Sequence, residues 1–290
     1  MSKPTLLITG ANGQLGFTLR QIAPIYPAFD FVFTSIEELD ITNEQSITNA
    51  FDQYRPVWCI NTAAYTAVDK AETERQAAYA INVEAVRLLA EACKKYGAAL
   101  LHISTDFVFD GSKSLPLTEE DIAQPLNYYG ESKFQGEIVL QQSGIRHVIV
   151  RTSWLYSPYG NNFVKNMLRL GREQSELKVI DDQIGTPTFA EDLAHVIMTI
   201  IRHDHHARPA YGLYHYSNEG AASWYDFAHA VFDLANIRVA LYPIPTSAYP
   251  TPARRPHYSL MNKAKIKHRF GISIPHWRES LQRCLLLMNK

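Results

Sequence analysis

Short apolar segments alternate with helical patterns through the first half of the chain. Between the apolar segments, hydrophobic residues recur at helical spacing over Asn43–Tyr54 and over Glu72–Tyr96, which Gly97 closes. Alternating strands and helices with short connections predict a doubly wound parallel α/β sheet of the Rossmann type. The five predicted strands, short and apolar as strands buried on both faces should be, are Thr5–Thr9, Phe31–Thr34, Val57–Asn61, Leu100–Ser104 and His147–Thr152.

After about residue 153 the pattern loosens, and loops containing Pro and Gly separate the helical segments. We interpret Pro243–Pro256, with its five prolines, as a stiff ordered loop rather than a helix. These features predict a sheet domain over 1–155, to which the chain returns at about 177–205, and a smaller lobe over 156–290. A ligand cleft is expected between them. The helices predicted in this half are Asn161–Gln174, Ala190–Arg202, Trp224–Ala235 and His276–Met288.

Composition excludes several classes of protein. The 28 basic and 29 acidic residues leave a net charge of −1, so no broad electrostatic surface for nucleic acid or an anionic membrane is expected. The longest apolar runs are too short to cross a bilayer, and we see no secretory segment. Cys59, Cys93 and Cys284 are odd in number and widely spaced, which argues against disulfides and cysteine metal sites. We therefore expect a cytoplasmic protein.

The first candidate site is a glycine-rich loop, Gly10–Gly16, which directly follows the first strand and opens a helix. Glycine makes a tight turn there and lets backbone N–H groups approach a pyrophosphate. Asn61–Ala64, at the end of the third strand, offers small residues beside a ribose and nicotinamide. Together they predict a dinucleotide site; the alternative is a pair of packing turns without a ligand.

The residues after the second strand leave the choice of dinucleotide open. An acid there favours NAD and an arginine favours NADP. Thr34 and Ser35 are neither, while Glu37, Glu38 and Asp40 come later along the chain. The expected cofactor is therefore NADPH or NADH.

The second candidate site combines a tyrosine, a lysine and a threonine. Tyr129 and Lys133 are four residues apart, so on a helix they share one face, where the ammonium can lower the pKa of the phenol. Tyr128 points elsewhere. Thr105, at the carboxyl end of the fourth strand, can donate a hydrogen bond to a substrate carbonyl. The alternatives are a solvated helix face and a threonine that caps a strand end.

In this order the motifs resemble the extended short-chain dehydrogenase/reductases and, among them, the dTDP-4-dehydrorhamnose reductase family. The resemblance implies NAD(P)H-dependent reduction of the C4 ketone of dTDP-6-deoxy-L-lyxo-4-hexulose to dTDP-β-L-rhamnose, the last step of dTDP-L-rhamnose synthesis. It also implies a dTDP-sugar pocket and a homodimer. The matching segments, nearly end to end, are Thr9–Gly16, Asn61–Glu72, Ser104–Gly111, Tyr129–Lys133, Arg151–Tyr156, Gly160–Phe163, Asp182–Thr188, Thr246–Pro252 and Arg255–Pro256.

The resemblance also assigns roles to residues. Thr105, Tyr129 and Lys133 match the catalytic triad, Arg255 would hold the diphosphate, and Trp154 and Trp224 would flank the sugar. The expected cofactor contacts are Gly10, Asn12, Gly13, Gln14, Leu15, Gly16, Asp40, Ile41, Ala63, Ala64, Tyr65, Tyr129 and Lys133. The expected substrate contacts are Thr66, Val68, Thr105, Asp106, Phe107, Tyr129, Trp154, Asn161, Trp224 and Arg255.

One departure concerns metal. Some members are described with Mg²⁺ held by carboxylates at a dimer interface, one of them just after the glycine loop. Here Thr18 stands at that point, although Glu191 and Asp192 remain, so we expect no metal. We interpret His203–His206 as a solvated helix end.

Two alternative functions stay open. A reductase on the same scaffold can make a 4-epimeric sugar such as dTDP-6-deoxy-L-talose. A regulatory subunit that binds the cofactor without catalysis, like the β subunit of methionine adenosyltransferase, shares the fold and many of the motifs.

Overall fold

The computed structural model describes residues 3–205 and 211–288. The strands in these residues are β1 (Thr5–Thr9), β2 (Asp30–Thr34), β3 (Trp58–Asn61), β4 (Ala99–Thr105), β5 (His147–Thr152), β6 (Leu155–Tyr156), β7 (Glu176–Ile180), β8 (Ile184–Gly185), β9 (Thr188–Phe189), β10 (Gly212–His215), β11 (Ala222–Ser223) and β12 (Ala240–Ile244). The α-helices are α1 (Gln14–Ile22), α2 (Glu44–Tyr54), α3 (Val68–Ala71), α4 (Arg75–Tyr79), α5 (Ala85–Tyr96), α6 (Tyr128–Gln142), α7 (Phe163–Glu173), α8 (Ala190–His205), α9 (Trp224–Ala235), α10 (Ala264–Phe270) and α11 (Trp277–Met288).

The central sheet contains parallel strands in the order β10-β5-β4-β3-β1-β2. From β1 the chain moves to β2 at one edge, then returns to β3 on the other side of β1. Ligands of open parallel sheets bind at the carboxyl ends of the strands at such a reversal. The predicted doubly wound sheet is confirmed, and the reversal lies between the strands that carry the two small-residue loops.

Two layers of helices cover the sheet. Alternate residues of each buried strand point to opposite faces. Leu6 and Ile8 pack on one face with residues of α1 and α8, such as Leu19. Leu7 and Cys59 pack on the other face with α2, α5 and α6. The chemistry is therefore confined to the edge of the sheet where the strands end.

The predicted helix Glu72–Tyr96 is interrupted. It begins as α4 at Arg75, passes through a π-helical turn, Ala80–Glu84, and continues as α5. The turn contains Asn82, whose carboxamide accepts from the backbone N–H of Tyr65 at 2.9 Å and donates to its carbonyl at 3.1 Å. Such π turns recur at functional sites. Here the turn holds the loop that follows β3.

The second half of the chain builds the lobe and also completes the sheet. The lobe has its own core, centred on Tyr156, Phe227 and Trp277. Between residues 177 and 205, where a return to the sheet domain is expected, the chain contributes to both parts of the protein. β7 pairs with β12 in the lobe, whereas α8 packs on α1 and β10 adds an edge strand to the sheet. Within the described residues, no helix is long and apolar enough to cross a membrane.

The Pro-rich segment is ordered but not wholly loop. Its first residues, Pro243 and Ile244, end strand β12, which within the described part of the chain pairs only with β7. Proline is tolerated there because one side of the strand has no ladder partner. A single 3₁₀ turn, Thr246–Ala248, follows.

Candidate active site

A cleft of about 970 Å³ lies between the carboxyl ends of the central strands and the lobe. Of the predicted site residues, Gly16 and Tyr65 are the two that do not line it. The predicted residues that do are Gly10, Asn12, Gly13, Gln14, Leu15, Asp40, Ile41, Ala63, Ala64, Thr66, Val68, Thr105, Asp106, Phe107, Tyr129, Lys133, Trp154, Asn161, Trp224 and Arg255. The structure thus brings together residues from both halves of the chain.

The glycine loop lines one part of the cleft. Gly10 has a φ of 66°, and a Cβ there would lie 2.7 Å from the backbone nitrogen of Ala63. α1 follows Gly13, and its first turn has no side-chain cap and no acidic residue. Helix N-termini of this kind favour phosphate oxygens. This part of the cleft therefore fits the diphosphate of a dinucleotide.

Gly16 and Tyr65 act outside the cleft. A Cβ on Gly16 would overlap the carbonyl oxygen of Gly10, so this glycine lets α1 pack on the loop. The Tyr65 hydroxyl donates to Oε2 of Glu74 at 2.6 Å, which turns the ring toward α4. Both residues shape the site rather than line it.

Gln14 lines the cleft, but its side chain joins the two parts of the protein. Its Oε1 accepts from the Ser157 hydroxyl and from the amide of Asn162, each at 3.0 Å. Its Nε2 donates to the carbonyl of Leu155 at 3.4 Å. The start of α1 is therefore tied to the lobe, which sets the width of the cleft.

The end of β2 offers little direct contact to a ribose. Thr34 is buried, and its hydroxyl donates to the carbonyl of Ile8 at 2.9 Å. The backbone N–H of Ser35 donates to Oε2 of Glu38 at 2.7 Å. The Glu38 carboxylate thus lies beside the end of β2, where the adenosine ribose is expected.

Several lining residues were not predicted. Ile36 is 69% exposed and lines the cleft, although nothing in the sequence separates it from an ordinary surface isoleucine. Most of the others neighbour a predicted residue, so extending each motif by one or two positions would have found them. The full set is Ile36, Leu39, Thr42, Thr62, Ile81, Ile103, Ser104, Thr152, Ser153, Leu155, Gly160 and Asn162.

Thr105 and Tyr129 meet at the centre of the cleft. The Thr105 hydroxyl accepts from the Phe107 N–H and donates to Oδ1 of Asp106, both at 3.2 Å. Burial raises the pKa of Tyr129 to about 12; a hydrogen bond with Thr105 opposes this shift, and the charge of Asp106 adds to it. Burial also raises the pKa of Asp106 to about 6. The phenol is therefore protonated at neutral pH.

Lys133 shares the cleft with Tyr129 but is directed away from it. Its Nζ lies 3.1 Å from Nε2 of His102 and donates to the carbonyl of Ile103 at 2.7 Å. Burial lowers the pKa of Lys133 to about 8, against the raising effect of Glu137. The expected lowering of the Tyr129 pKa by Lys133 is wrong for this arrangement, because the buried ammonium is solvated by His102 and Ile103.

Helix α6 separates the roles of its two adjacent tyrosines. Asn127 caps the helix by accepting from the Gly130 N–H at 2.8 Å. Tyr128 then lies half-buried outside the cleft, with the guanidinium of Arg75 over its ring at 4.8 Å, whereas Tyr129 lines the cleft. The structure agrees with the helical spacing, which selects Tyr129.

A buried ion pair lies behind the site. Arg151 donates to both carboxylate oxygens of Glu137, from Nε at 2.9 Å and Nη2 at 2.6 Å. Ser104 also donates to Glu137, and His215 contacts Arg151 from β10. Removing one member would leave a buried charge unpaired, so this cluster holds α6 against β4 and β5.

The two expected aromatic contacts stack on each other. The rings of Trp154 and Trp224 are 3.7 Å apart and inclined by 10°. Trp154 adopts a φ of 47°, and the indole N–H of Trp224 donates to Oε1 of Gln183 at 3.2 Å. Such rings leave no room for a sugar between them. They form one aromatic wall instead of flanking the sugar on both sides.

Arg255 lines the cleft from the Pro-rich segment of the lobe. Its guanidinium donates to both oxygens of Asp69, and its Nη1 also donates to the carbonyl of Ala253 at 2.8 Å. This ion pair lowers the pKa of Asp69. The arginine that was expected to hold a diphosphate thus already joins α3 to the Pro-rich loop.

Two of the three residues considered for a metal, Thr18 and Asp192, have other partners. The Thr18 hydroxyl donates to the carbonyl of Gln14 at 2.7 Å. Asp192 accepts from Ser280 at 2.6 Å and pairs with Arg283. Across residues 3–205 and 211–288, no group of three or more His, Cys, Asp or Glu is placed to hold a metal ion. α8 extends to His205, while His206, the end of the histidine run, lies outside the described residues.

Comparison with known proteins identifies the family. The family model described as the RmlD substrate binding domain matches residues 4–289. A dTDP-4-dehydrorhamnose reductase of Aggregatibacter actinomycetemcomitans is 43% identical over 284 residues, covering 96% of this chain and 97% of the relative. The corresponding reductase of Escherichia coli K12 is 42% identical over 288 residues, covering 97% and 96%.

Solved structures agree over the same length. The structure of dTDP-4-dehydrorhamnose reductase from Bacillus anthracis in complex with NADP has a TM-score of 0.93 and 40% identity, covering 99% of this chain and 100% of that one. The similarity therefore includes both the sheet domain and the lobe. The chain belongs to the dTDP-4-dehydrorhamnose reductase family.

Proposed function

We propose that this protein reduces the C4 ketone of dTDP-6-deoxy-L-lyxo-4-hexulose to dTDP-β-L-rhamnose, with NADPH or NADH as the reductant. The observation that carries the proposal is one cleft that joins an uncapped helix N-terminus at Gly13 to Thr105, Tyr129 and Lys133. Relatives that cover the whole chain are named dTDP-4-dehydrorhamnose reductase, and a related structure contains NADP.

The residues present fit a dinucleotide. The glycine loop would hold its diphosphate, and Ala63 and Ala64 would lie beside its nicotinamide half. When bound, the nicotinamide supplies a hydride to the ketone carbon. The carbonyl oxygen then gains negative charge and needs a proton.

The chain supplies that proton from Tyr129. Its raised pKa keeps the phenol protonated, the form that an acid in the reductive direction requires. Thr105 donates a hydrogen bond to the same carbonyl oxygen. Lys133, whose Nζ is held by His102 and Ile103, would hold the nicotinamide ribose. The stacked indoles of Trp154 and Trp224 form the wall against which the sugar lies.

Purified protein incubated with NADPH and the 4-keto sugar nucleotide tests the proposal. We expect NADPH oxidation in proportion to substrate, and dTDP-β-L-rhamnose as the product by NMR. A product of dTDP-6-deoxy-L-talose would instead identify the 4-epimeric reductase. Tyr129→Phe is the matched negative control.

Calorimetry separates this enzyme from a regulatory subunit. We expect dTDP to bind the protein on its own. NADPH binding without dTDP binding at about millimolar concentration would favour the subunit that binds cofactor without catalysis. The homodimer is part of the same proposal, and analytical ultracentrifugation of the full chain tests it.

A further inference from the structure

A line of buried polar side chains crosses the sheet beneath the active site. Thr9, Asn61 and His102 are register partners on the neighbouring strands β1, β3 and β4. Residues in register on parallel strands point to the same face, here the face covered by α5 and α6. Their exposed fractions are 0%, 0% and 1%. Polar groups this deeply buried need partners.

Their hydrogen bonds form a chain that ends at Lys133. The hydroxyl of Thr9 lies 2.7 Å from Oδ1 of Asn61, whose Nδ2 lies 3.0 Å from Nδ1 of His102. The second ring nitrogen of His102 lies 3.1 Å from Nζ of Lys133. The imidazole therefore bridges an amide and an amine.

The protons in this chain are coupled. Burial and the charge of Lys133 hold the pKa of His102 well below its usual range, so the ring is neutral. A neutral imidazole has one donor nitrogen and one acceptor nitrogen. When the amide of Asn61 donates to Nδ1, the proton sits on Nε2 and points at Lys133, which must then be a neutral amine.

The opposite arrangement fits the same positions. A charged Lys133 donates to Nε2 of His102, and the ring then donates from Nδ1. Asn61 accepts that bond once its carboxamide has turned by half a turn, because the oxygen and nitrogen of an amide occupy equivalent positions. The direction of every bond in the chain therefore depends on the charge of Lys133.

We propose that His102 is a positioning residue for Lys133, and that its tautomer and the orientation of Asn61 change together with the charge of that lysine. The protons balance. Lys133 loses one proton to solvent through the cleft that it lines, while the imidazole exchanges a proton on Nδ1 for one on Nε2 and stays neutral. The proposal deepens the proposed function, on which only its kinetic consequence rests.

The other ionisable groups around Lys133 do not fix its charge state. On its own helix, Tyr129 precedes it by one turn and Glu137 follows it by one turn. Arg151 of β5 neutralises Glu137 through a bidentate ion pair. Since the pKa of Lys133 is about 8, both charge states occur at pH values where the protein can be studied.

Nitrogen-15 NMR of histidine-labelled protein tests the proposal directly. The His102 signal is assigned by its loss in His102→Gln. We expect the Nδ1–H tautomer below the pKa of Lys133 and the Nε2–H tautomer above it, with the change absent in Lys133→Met. A single tautomer in the wild type from about pH 6 to about pH 10 would overturn the proposal.

The variant Asn61→Asp provides a kinetic test of the proposal. A carboxylate only accepts hydrogen bonds, so it holds the proton on Nδ1 and presents a bare Nε2 to a charged Lys133. We expect His102 to keep one tautomer and the alkaline limb of kcat/KM to move up by about one pH unit or more. Thr9→Val, which leaves the carboxamide free to turn, should not move the limb.

A purely structural role for His102 predicts a lower kcat in Asn61→Asp with an unmoved alkaline limb, which would contradict the proposal. The tautomer measurement uses the protein alone. If the protein fails to reduce the sugar nucleotide, the proposed function fails while the tautomer result stands. The two outcomes are therefore distinguishable.

Discussion

The guanidinium of Arg255 makes two hydrogen bonds to the carboxylate of Asp69, 3.0 Å from Nη1 to Oδ1 and 2.8 Å from Nη2 to Oδ2. The pair joins α3, beside β3, to the Pro-rich loop of the lobe. It fixes the arginine at the edge of the cleft before any ligand arrives. If Arg255 holds the diphosphate of the substrate, its charge would be shared between that group and the Asp69 carboxylate.

Arg255→Ala should weaken binding of the dTDP-sugar and leave NADPH binding nearly unchanged. Loss of a charge-assisted contact costs about 2–3 kcal/mol, so KM should rise by about 30-fold to 150-fold. Calorimetric titration of dTDP and of NADPH into the variant measures the two effects separately. Arg254→Ala is the matched control and should matter less.

Asp69→Asn distinguishes a contact of the Arg255 charge with the diphosphate from a structural role of the Asp69–Arg255 pair. If Arg255 acts on the diphosphate, this variant retains dTDP binding because the cation remains. Equal losses in Asp69→Asn and Arg255→Ala would show that the pair serves only to hold the lobe against α3. In that event the assignment of Arg255 to the diphosphate is wrong.

Tyr129→Phe should lower kcat by about 100-fold or more, the scale of a lost general acid, with fold and cofactor affinity retained. Tyr128→Phe should be mild, since that ring lies under Arg75 outside the cleft. Steady-state kinetics with the 4-keto sugar nucleotide measures both variants. A crippled Tyr128→Phe beside a mild Tyr129→Phe would refute the assignment.

The predictable parts of this molecule are those whose signal is local. Strands such as Val57–Asn61 are continuous apolar runs, and the spacing of Tyr129 and Lys133 alone places both on one face of a helix. β10 was not predicted because Gly212–His215 has only four residues and no extended apolar run. Its place in the sheet depends on pairing with β5.

Other features depend on partners far away in the sequence. The π turn at Asn82 satisfies the backbone of Tyr65, and the pair between Asp69 and Arg255 spans 186 positions. The direction of the Lys133 ammonium is set by His102 on another element. No periodicity or motif spacing encodes such contacts. The sequence therefore predicted which residues lie in one cleft but not their hydrogen-bond partners.

NADH and NADPH should be used with kcat/KM values within about tenfold, or about 1.4 kcal/mol. Thr34 is turned into the sheet, and the N–H of Ser35 is bonded to Glu38, so neither residue offers dedicated recognition of the 2′-hydroxyl or a cation for a 2′-phosphate. Kinetics with each cofactor checks this. A thousandfold preference would place ribose recognition elsewhere.

Glu38→Gln sharpens that test. Removing the carboxylate beside Ser35 should raise kcat/KM for NADPH relative to NADH by several-fold, because a 2′-phosphate no longer meets a negative charge. Glu44→Gln, in the first turn of α2, is the control of equal charge change. An unchanged cofactor ratio in Glu38→Gln would remove Glu38 from the ribose site.

Stability should fall in acid because His215 is built into the fold as a neutral ring. Its Nδ1 lies 3.1 Å from the carbonyl of Leu117, and its Nε2 faces Arg151 at 3.4 Å, so a second proton would be directed at a guanidinium. Burial and Arg151 lower the pKa of His215 to about 3. The pKa of His102 is also lowered by burial, so this ring contributes to the loss of stability in acid in the same direction.

The sign follows from proton binding. As the pH falls below about 6.5, His215 becomes protonated in the unfolded chain. In the folded protein the ring becomes protonated only at about pH 3. The contribution of His215 to the free energy of unfolding is therefore complete above the unfolded pKa, and it is lost as the pH falls from that value toward the folded pKa. Asp106, whose folded pKa is raised to about 6, opposes the loss because the folded state binds its proton first.

His215→Gln should therefore flatten the acid side of the stability curve. The slope of unfolding free energy should decrease by as much as one proton, about 1.4 kcal/mol per pH unit. Urea unfolding at a series of pH values measures it. Phe109→Leu, which changes packing against the same ring, should lower stability at every pH without changing the slope. An unaltered slope in His215→Gln would mean that the ring is protonated in the folded protein, and that Arg151 does not face it as a full charge.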